Sequence, residues 1–215
     1  MVIKGDSVTQ EKNCLIITDI QNDFCPGGAL AVAEGDKIIP IVNRMAPKFD
    51  KVVATQDWHS SGHISFASTH QKQPYEIITI DGMQQVMWPD HCVAGSFGAD
   101  FHRDLDLREV DLIIRKGNDL KIDSYSTFLE NDKRTLTGLH FYLKGFEIKD
   151  LYFCGLATDY CVYYSVMDAV EMEFRVSVVL DACRGVDMPA GNVAATLQRM
   201  KERGVRILNH DELSL

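Results

Sequence analysis

Six short β-branched runs, separated by longer stretches of helical periodicity, constrain this chain more than any other feature. "CLIIT" (Cys14–Thr18), "KVVAT" (Lys51–Thr55), "DLIIR" (Asp111–Arg115), "DLYFC" (Asp150–Cys154), "RVSVVL" (Arg175–Leu180) and "VRIL" (Val205–Leu208) are apolar almost without interruption. Runs of this kind suit strands buried on both faces of a parallel sheet. Between them, Gly35–Pro47, Leu136–Phe146, Asp159–Glu173 and Ala190–Arg203 carry apolar residues at helical spacing, with Thr158 or Asp159 placed to cap the third helix. Strand–helix alternation predicts a three-layer α/β domain.

The 215 residues are enough for one substantial core and are expected to form a single domain over 1–215. A formal net charge of −9 argues against a nucleic-acid partner, because phosphate binding needs clustered Lys and Arg. The first residues, "MVIKGDSVTQEKN", lack the apolar core of a signal peptide, and no apolar run reaches the length of a membrane span. A cytoplasmic location with no membrane partner is expected. The six cysteines are scattered singly with no CxxC pair, so they are expected to be free thiols.

One stretch breaks the alternation. From about 56 to 106 the chain is long, polar and rich in Gly and Pro, and it holds five of the seven histidines and both tryptophans. A segment of this length inside a compact domain is usually functional or disordered. Its tryptophans favour an ordered site that doubles as a lid.

Four chemically capable side chains stand at four consecutive strand ends: Asp19, Asp57, Lys116 and Cys161. Open parallel sheets bind ligands at the carboxyl ends of their strands, so these four converge on one crevice. Cys161, in "GLATDYC", falls at a helix start, where the macrodipole favours the nucleophilic thiolate. Asp19 is suited to take the thiol proton and return it to a leaving amine. Lys116 holds both groups in their charged states. Each residue taken singly also has a bland reading: a buried core Cys, a turn-capping Asp and a solvated Lys. Cys14, Cys154 and Cys183 read as core, and Asp23 and Asp181 as turn caps.

"TQDWHSSGH" (Thr55–His63) opens the polar stretch. Asp57 and His59, joined by His91 from "WPDHC", offer one carboxylate and two imidazoles. Three protein ligands with the remaining positions left to water is a catalytic metal pattern rather than a closed structural one. Local capping and hydrogen bonding explain the same spacing equally well. His63 is either a fourth ligand or a loop anchor.

Taken together, "TDIQNDFCPGGALAVAEGD", "VVATQDWHSSGHISFAS", "QPYE", "WPDHCVAGSFGADFH", "KGNDLKIDSYSTF", "GLATDYCV" and "DACRGV" resemble the nicotinamidase branch of the isochorismatase-like cysteine hydrolases over nearly the whole chain. The resemblance implies a Rossmann-like α/β/α fold with a six-stranded, mainly parallel sheet. It also implies hydrolysis of nicotinamide to nicotinate and ammonia in NAD recycling, with pyrazinamide as a further substrate. It assigns Asp19, Lys116 and Cys161 as the catalytic triad, and Asp57, His59 and His91 as ligands of one divalent ion. Zinc leads among the candidate ions, with iron and manganese suiting the same donors. Backbone N–H groups at Ala157 and Cys161 would form the oxyanion hole, with a cis peptide before Ala157. Phe24, Trp88 and Tyr125 would line the pyridine pocket. Relatives with an extra His ligand carry it at a longer spacing from the Asp than His63 has, so His63 stays outside the ligand set.

Three competitors share part of this pattern. A sister amidase acting on carbamoyl or ureido groups would keep Asp19, Lys116 and Cys161 without the metal trio. A true isochorismatase would lack the nucleophilic Cys. A redox-sensing binding protein would need neither Lys116 nor Asp19. The partner expected is a small molecule, and the sequence leaves homo-oligomer formation open.

Overall fold

The computed structural model describes residues 11–214. The leaderless N-terminus expected from sequence lies mostly outside that range. In chain order the regular elements are β1 (Asn13–Thr18), α1 (Ile39–Met45), β2 (Lys51–Asp57), β3 (Ile77–Ile80), β4 (Met83–Val86), β5 (Leu112–Lys116), α2 (Leu139–Gly145), β6 (Asp150–Leu156), α3 (Tyr163–Glu171), β7 (Arg175–Arg184), α4 (Asn192–Glu202) and β8 (Arg206–Leu208). Short 3-10 turns extend α1 at both ends, covering the rest of the helix expected there.

Six strands form one parallel sheet in the order β5-β2-β1-β6-β7-β8. β1 lies in the interior of the sheet and every one of its residues is buried, which is why its run is continuously apolar. The strand order reverses between β1 and β6, the position where an open α/β sheet forms a crevice at its carboxyl edge. The chain thus has the α/β architecture that the alternation predicts, with helices flanking the sheet.

Two strands run further than expected. β2 continues through Asp57 and β5 through Lys116, and the parallel register sets these two residues opposite each other. Their pairing is a direct product of strand register, because facing side chains on neighbouring strands lie within contact distance.

The segment 56–106 is mostly irregular, but it contains an antiparallel hairpin, β3–β4, where the sequence predicts only loop. Its two-residue turn is Asp81-Gly82, with φ of 49° and 82°. Such turns take Asp-Gly because both central positions need positive φ. All six cysteines are unpaired and buried. No helix among the described residues is long and apolar enough to cross a membrane.

Candidate active site

Lys116 organises the crevice. Its side chain is fully buried, and Nζ lies 3.0 Å from Asp19 Oδ2, 3.0 Å from Asp57 Oδ1, 3.2 Å from the Ser124 carbonyl and 3.5 Å from Cys161 Sγ. A buried ammonium persists only when paired and hydrogen-bonded. Burial works against its charge, yet the two carboxylates hold it well above the ordinary lysine range.

Asp19 sits just past β1 with φ of 48°. The Thr55 hydroxyl donates to its Oδ1 at 2.6 Å and accepts the Asp19 N–H at 3.2 Å. With Oδ1 so engaged, Oδ2 faces Lys116 and is the oxygen left to take a proton. Burial raises the Asp19 carboxyl above its ordinary range, against the pull of Lys116. A raised carboxyl is a stronger base.

Cys161 lies in a wide turn, Thr158–Val162, between β6 and α3. Val162 N–H reaches five residues back to the Ala157 carbonyl at 3.1 Å, the spacing of a π-turn, a device frequent at functional sites. Burial pushes the Cys161 thiol well above its ordinary value; Lys116 opposes this, and Asp19 and Asp57 add to the rise. A thiol so raised needs an acceptor for its proton. The expected Thr158 or Asp159 cap is absent. The Asp159 carboxylate instead accepts the N–H groups of Val186 and Asp187 and the amide of Asn192, tying the turn to the chain after β7.

The metal candidates are brought together. Asp57, His59 and His91 are all buried, with one donor atom from each lying within 4.8 Å of the others. His59 Nδ1 donates to the Gly117 carbonyl at 3.0 Å and His91 Nδ1 to the Pro89 carbonyl at 2.7 Å. Both Nε2 atoms face Asp57 Oδ2, at 3.0 and 3.4 Å. Tying Nδ1–H to a backbone carbonyl fixes the tautomer that presents Nε2 as a metal ligand. Although burial opposes the charge of Asp57, His59 and Lys116 hold its carboxyl well below the ordinary range. This donor set fits a divalent ion of the zinc, iron or manganese type.

His63 falls in a second group of buried donors, with His59 and Asp123. Its Nε2 donates to the carbonyls of Asp119 and Ile122, and its Nδ1 accepts from Ser65. Both ring nitrogens are used in holding the loop.

Gly117 shows how closely the two clusters interlock. It has φ of +65°, and a Cβ there would sit 2.5 Å from His59 Cε1. Gly117→Ala is expected to displace the His59 ring and weaken metal retention about tenfold or more, the range seen when the partner of a metal-bound His is lost. Metal titration with a competing chelator reads this directly, and wild-type affinity would refute it.

A pocket opens above Cys161, lined by Phe24, Trp88, Tyr125 and Ala157 together with Asp57 and His91. Trp88 Nε1 donates to the Tyr125 hydroxyl at 3.0 Å, fixing two walls at right angles. The Leu156–Ala157 peptide is cis, and the Ala157 N–H has no acceptor among the described residues. Sequence reasoning missed Leu30, Tyr160 and Val186 in the lining, and the supports Thr55, Gln21 and Ser124. Gln21 clamps the end of β2: its amide accepts the Asp57 N–H at 2.7 Å and donates to the Asp57 carbonyl at 2.8 Å. Polar residues interrupting apolar strand ends, as in "ATQD" and "TDIQND", were the available signal for Thr55 and Gln21.

A parallel sheet with a buried Cys–Lys–Asp cluster at its carboxyl edge is the architecture of a cysteine hydrolase, and residues 13–212 match the Isochorismatase domain; the chain belongs to that family. It is 48% identical over 199 residues to the nicotinamidase of Acinetobacter baylyi, covering 92% of each chain. Among solved structures, a nicotinamidase/pyrazinamidase of Acinetobacter baumanii superposes with a TM-score of 0.92 at 46% identity, covering 96% of this chain and all of that one. The pyrazinamidase of Pyrococcus horikoshii, solved in complex with zinc, superposes with a TM-score of 0.76 at 37% identity, covering 92% and 99%.

Proposed function

We propose that this chain is a metal-dependent cysteine amidohydrolase that converts nicotinamide to nicotinate and ammonia, with pyrazinamide as a second substrate. The observation that carries this reading is the opening of two clusters onto one pocket: Cys161 with Lys116 and Asp19, and Asp57 with His59 and His91. The relatives named above act on these amides, and the pocket offers apolar walls of the right character for a pyridine ring.

Asp57, His59 and His91 would hold a divalent ion, which would supply Lewis acidity beside the pocket. Phe24, Trp88 and Tyr125 flank the ring and exclude water. Asp19 takes the Cys161 proton, and the thiolate attacks the amide carbon. The backbone N–H groups of Ala157 and Cys161 receive the oxyanion, a contribution of about 3–4 kcal/mol for each donor. Ammonia departs with the proton held on Asp19. Asp19 then deprotonates a water, which opens the thioester and frees nicotinate and the Cys161 thiol. Lys116 stabilises the charged forms of both partners throughout.

The residues 1–215 act as one hydrolase domain, with 56–106 serving as metal-site and lid segment. Zinc is the resident ion, and the reaction feeds NAD recycling in the cytoplasm. Ammonia release from nicotinamide by the purified protein tests the reading, measured before and after exhaustive chelation. Release that stops on chelation and returns with zinc is the expected result. Metal-loaded protein that releases no ammonia would sink it and favour a sister amidase.

A further inference from the structure

Several buried polar groups near the pocket have no part in the reaction as written above, and Ser165 is the one that touches the nucleophile's own backbone. Ser165 lies in the first turn of α3, four residues after the nucleophile, and is fully buried. Its hydroxyl donates to the Cys161 carbonyl at 2.6 Å and accepts the Thr127 N–H at 2.9 Å. Thr127 lies in the segment that also provides the Ser124 carbonyl to Lys116 and the Tyr125 ring to the pocket wall. One hydroxyl therefore joins the turn carrying the nucleophile to the strand of chain that orients Lys116 and the substrate ring.

We propose that Ser165 is a positioning residue that sets Cys161 against Lys116 and Asp19; the inference rests on Cys161 being the nucleophile. The π-turn around Cys161 is wider than an α-turn, with its Ala157 carbonyl shared by the N–H groups of Tyr160 and Val162, both at 3.1 Å. Ser165 adds a fixed contact at the nucleophile's own carbonyl. The same hydroxyl satisfies a buried backbone donor on the facing segment, so its removal frees both sides together. Cys161 would then drift relative to Lys116 and Asp19, while Phe24, Trp88 and the Asp57–His59–His91 group stand on other parts of the chain, and Tyr125, on the freed segment, keeps its separate bond to Trp88. The loss should fall on kcat and spare KM, because the chemical step depends on sub-ångström placement of the attacking atom.

The test compares Ser165→Thr with Ser165→Val in the zinc-loaded full chain. The two variants have the same shape and add nearly the same bulk to the same buried position. A Thr hydroxyl in a helix can reach the carbonyl four residues back, whereas Val cannot make this bond. The expected result is a kcat for Ser165→Val about tenfold or more below that of Ser165→Thr, with KM for nicotinamide within about twofold, in line with a displaced attacking group. Ser165→Ala, which adds no atom, should show the same split against wild type and carries the comparison if the bulkier pair does not fold. Equal kcat in Thr and Val, or in Ala and wild type, would overturn the proposal, as would a loss confined to KM or to the folded fraction. Cys161→Ala is run alongside. Ammonia release surviving in that variant would show that the nucleophile assignment has failed rather than the role of Ser165.

Discussion

Cys161→Ala is expected to lower nicotinamide turnover by at least about 10⁴-fold, the scale on which loss of a nucleophile is felt in hydrolases that act through a covalent intermediate. Nicotinamide binding should persist, because the groups proposed to hold the ring belong to other elements: Asp57 on β2, His91 in the following irregular segment, and Phe24 after β1. Folding should persist as well, since the change removes one sulfur whose contact with Lys116, at 3.5 Å, is long. Cys161→Ser should be nearly as inactive. The hydroxyl is a far weaker acid than a thiol, and Asp19, even with its carboxyl raised by burial, is too weak a base to deprotonate it. Ammonia assay paired with calorimetric titration of zinc-loaded protein separates chemistry from binding. A Cys161→Ala variant that turns over at even a few per cent of the wild-type rate would mean that water attacks directly and that the thiol is only a neighbour.

Lys116→Met should damage activity and stability together. The ammonium lies between two buried carboxylates, each 3.0 Å away. Removing the cation takes from the buried Asp19 its only ion pair among the described residues and leaves Asp57 held from its His59 and His91 side alone, and breaking a buried pair from one side costs about 3–5 kcal/mol. For a chain of this size, that is a fall in Tm of roughly 6–20 °C. Turnover should fall at least about 10³-fold in parallel, since Lys116 is a neighbouring cation that lowers both the Cys161 thiol and the Asp19 carboxyl. Differential scanning calorimetry on zinc-loaded protein reads the first effect and the ammonia assay the second. A variant more stable than wild type would show that desolvation of the ammonium outweighs its two ion pairs. Lys116→Arg is not a gentle alternative, because a planar fork cannot replace a point charge with four near neighbours in a closed site.

The six main strands were legible because burial on both faces leaves a continuous apolar signature, and only their ends moved. Asp57 and Lys116 were read as following their strands because a charge normally ends an apolar run; here each charge is neutralised by the other across the ladder, so the strands continue. The β3–β4 hairpin was missed for the opposite reason. It is largely exposed, Ile77 at 63% and Met83 at 46%, so its alternation of apolar and polar residues is weak, although Asp81-Gly82 is a strong turn signal. The charged and ligating members of the site stood at strand ends and could be found from chemistry and position. Supports such as Ser165, Gln21 and Thr55 could not, because a buried hydroxyl or amide leaves no pattern in the chain until its partners, as many as 78 residues away, are known.

Asp57 turns one oxygen toward Lys116 and the other toward His59 and His91. That division of a single carboxylate makes the site indivisible as an engineering unit. Grafting the loop of a relative with a different ligand set would alter the charge that Lys116 feels, and so the acidity of the thiol beyond it. Swapping the segment around Lys116 would likewise retune the ion. Homologous recombination between family members with different metal preferences should therefore yield active chimeras only when both segments travel together, even though some sixty residues separate them in the chain.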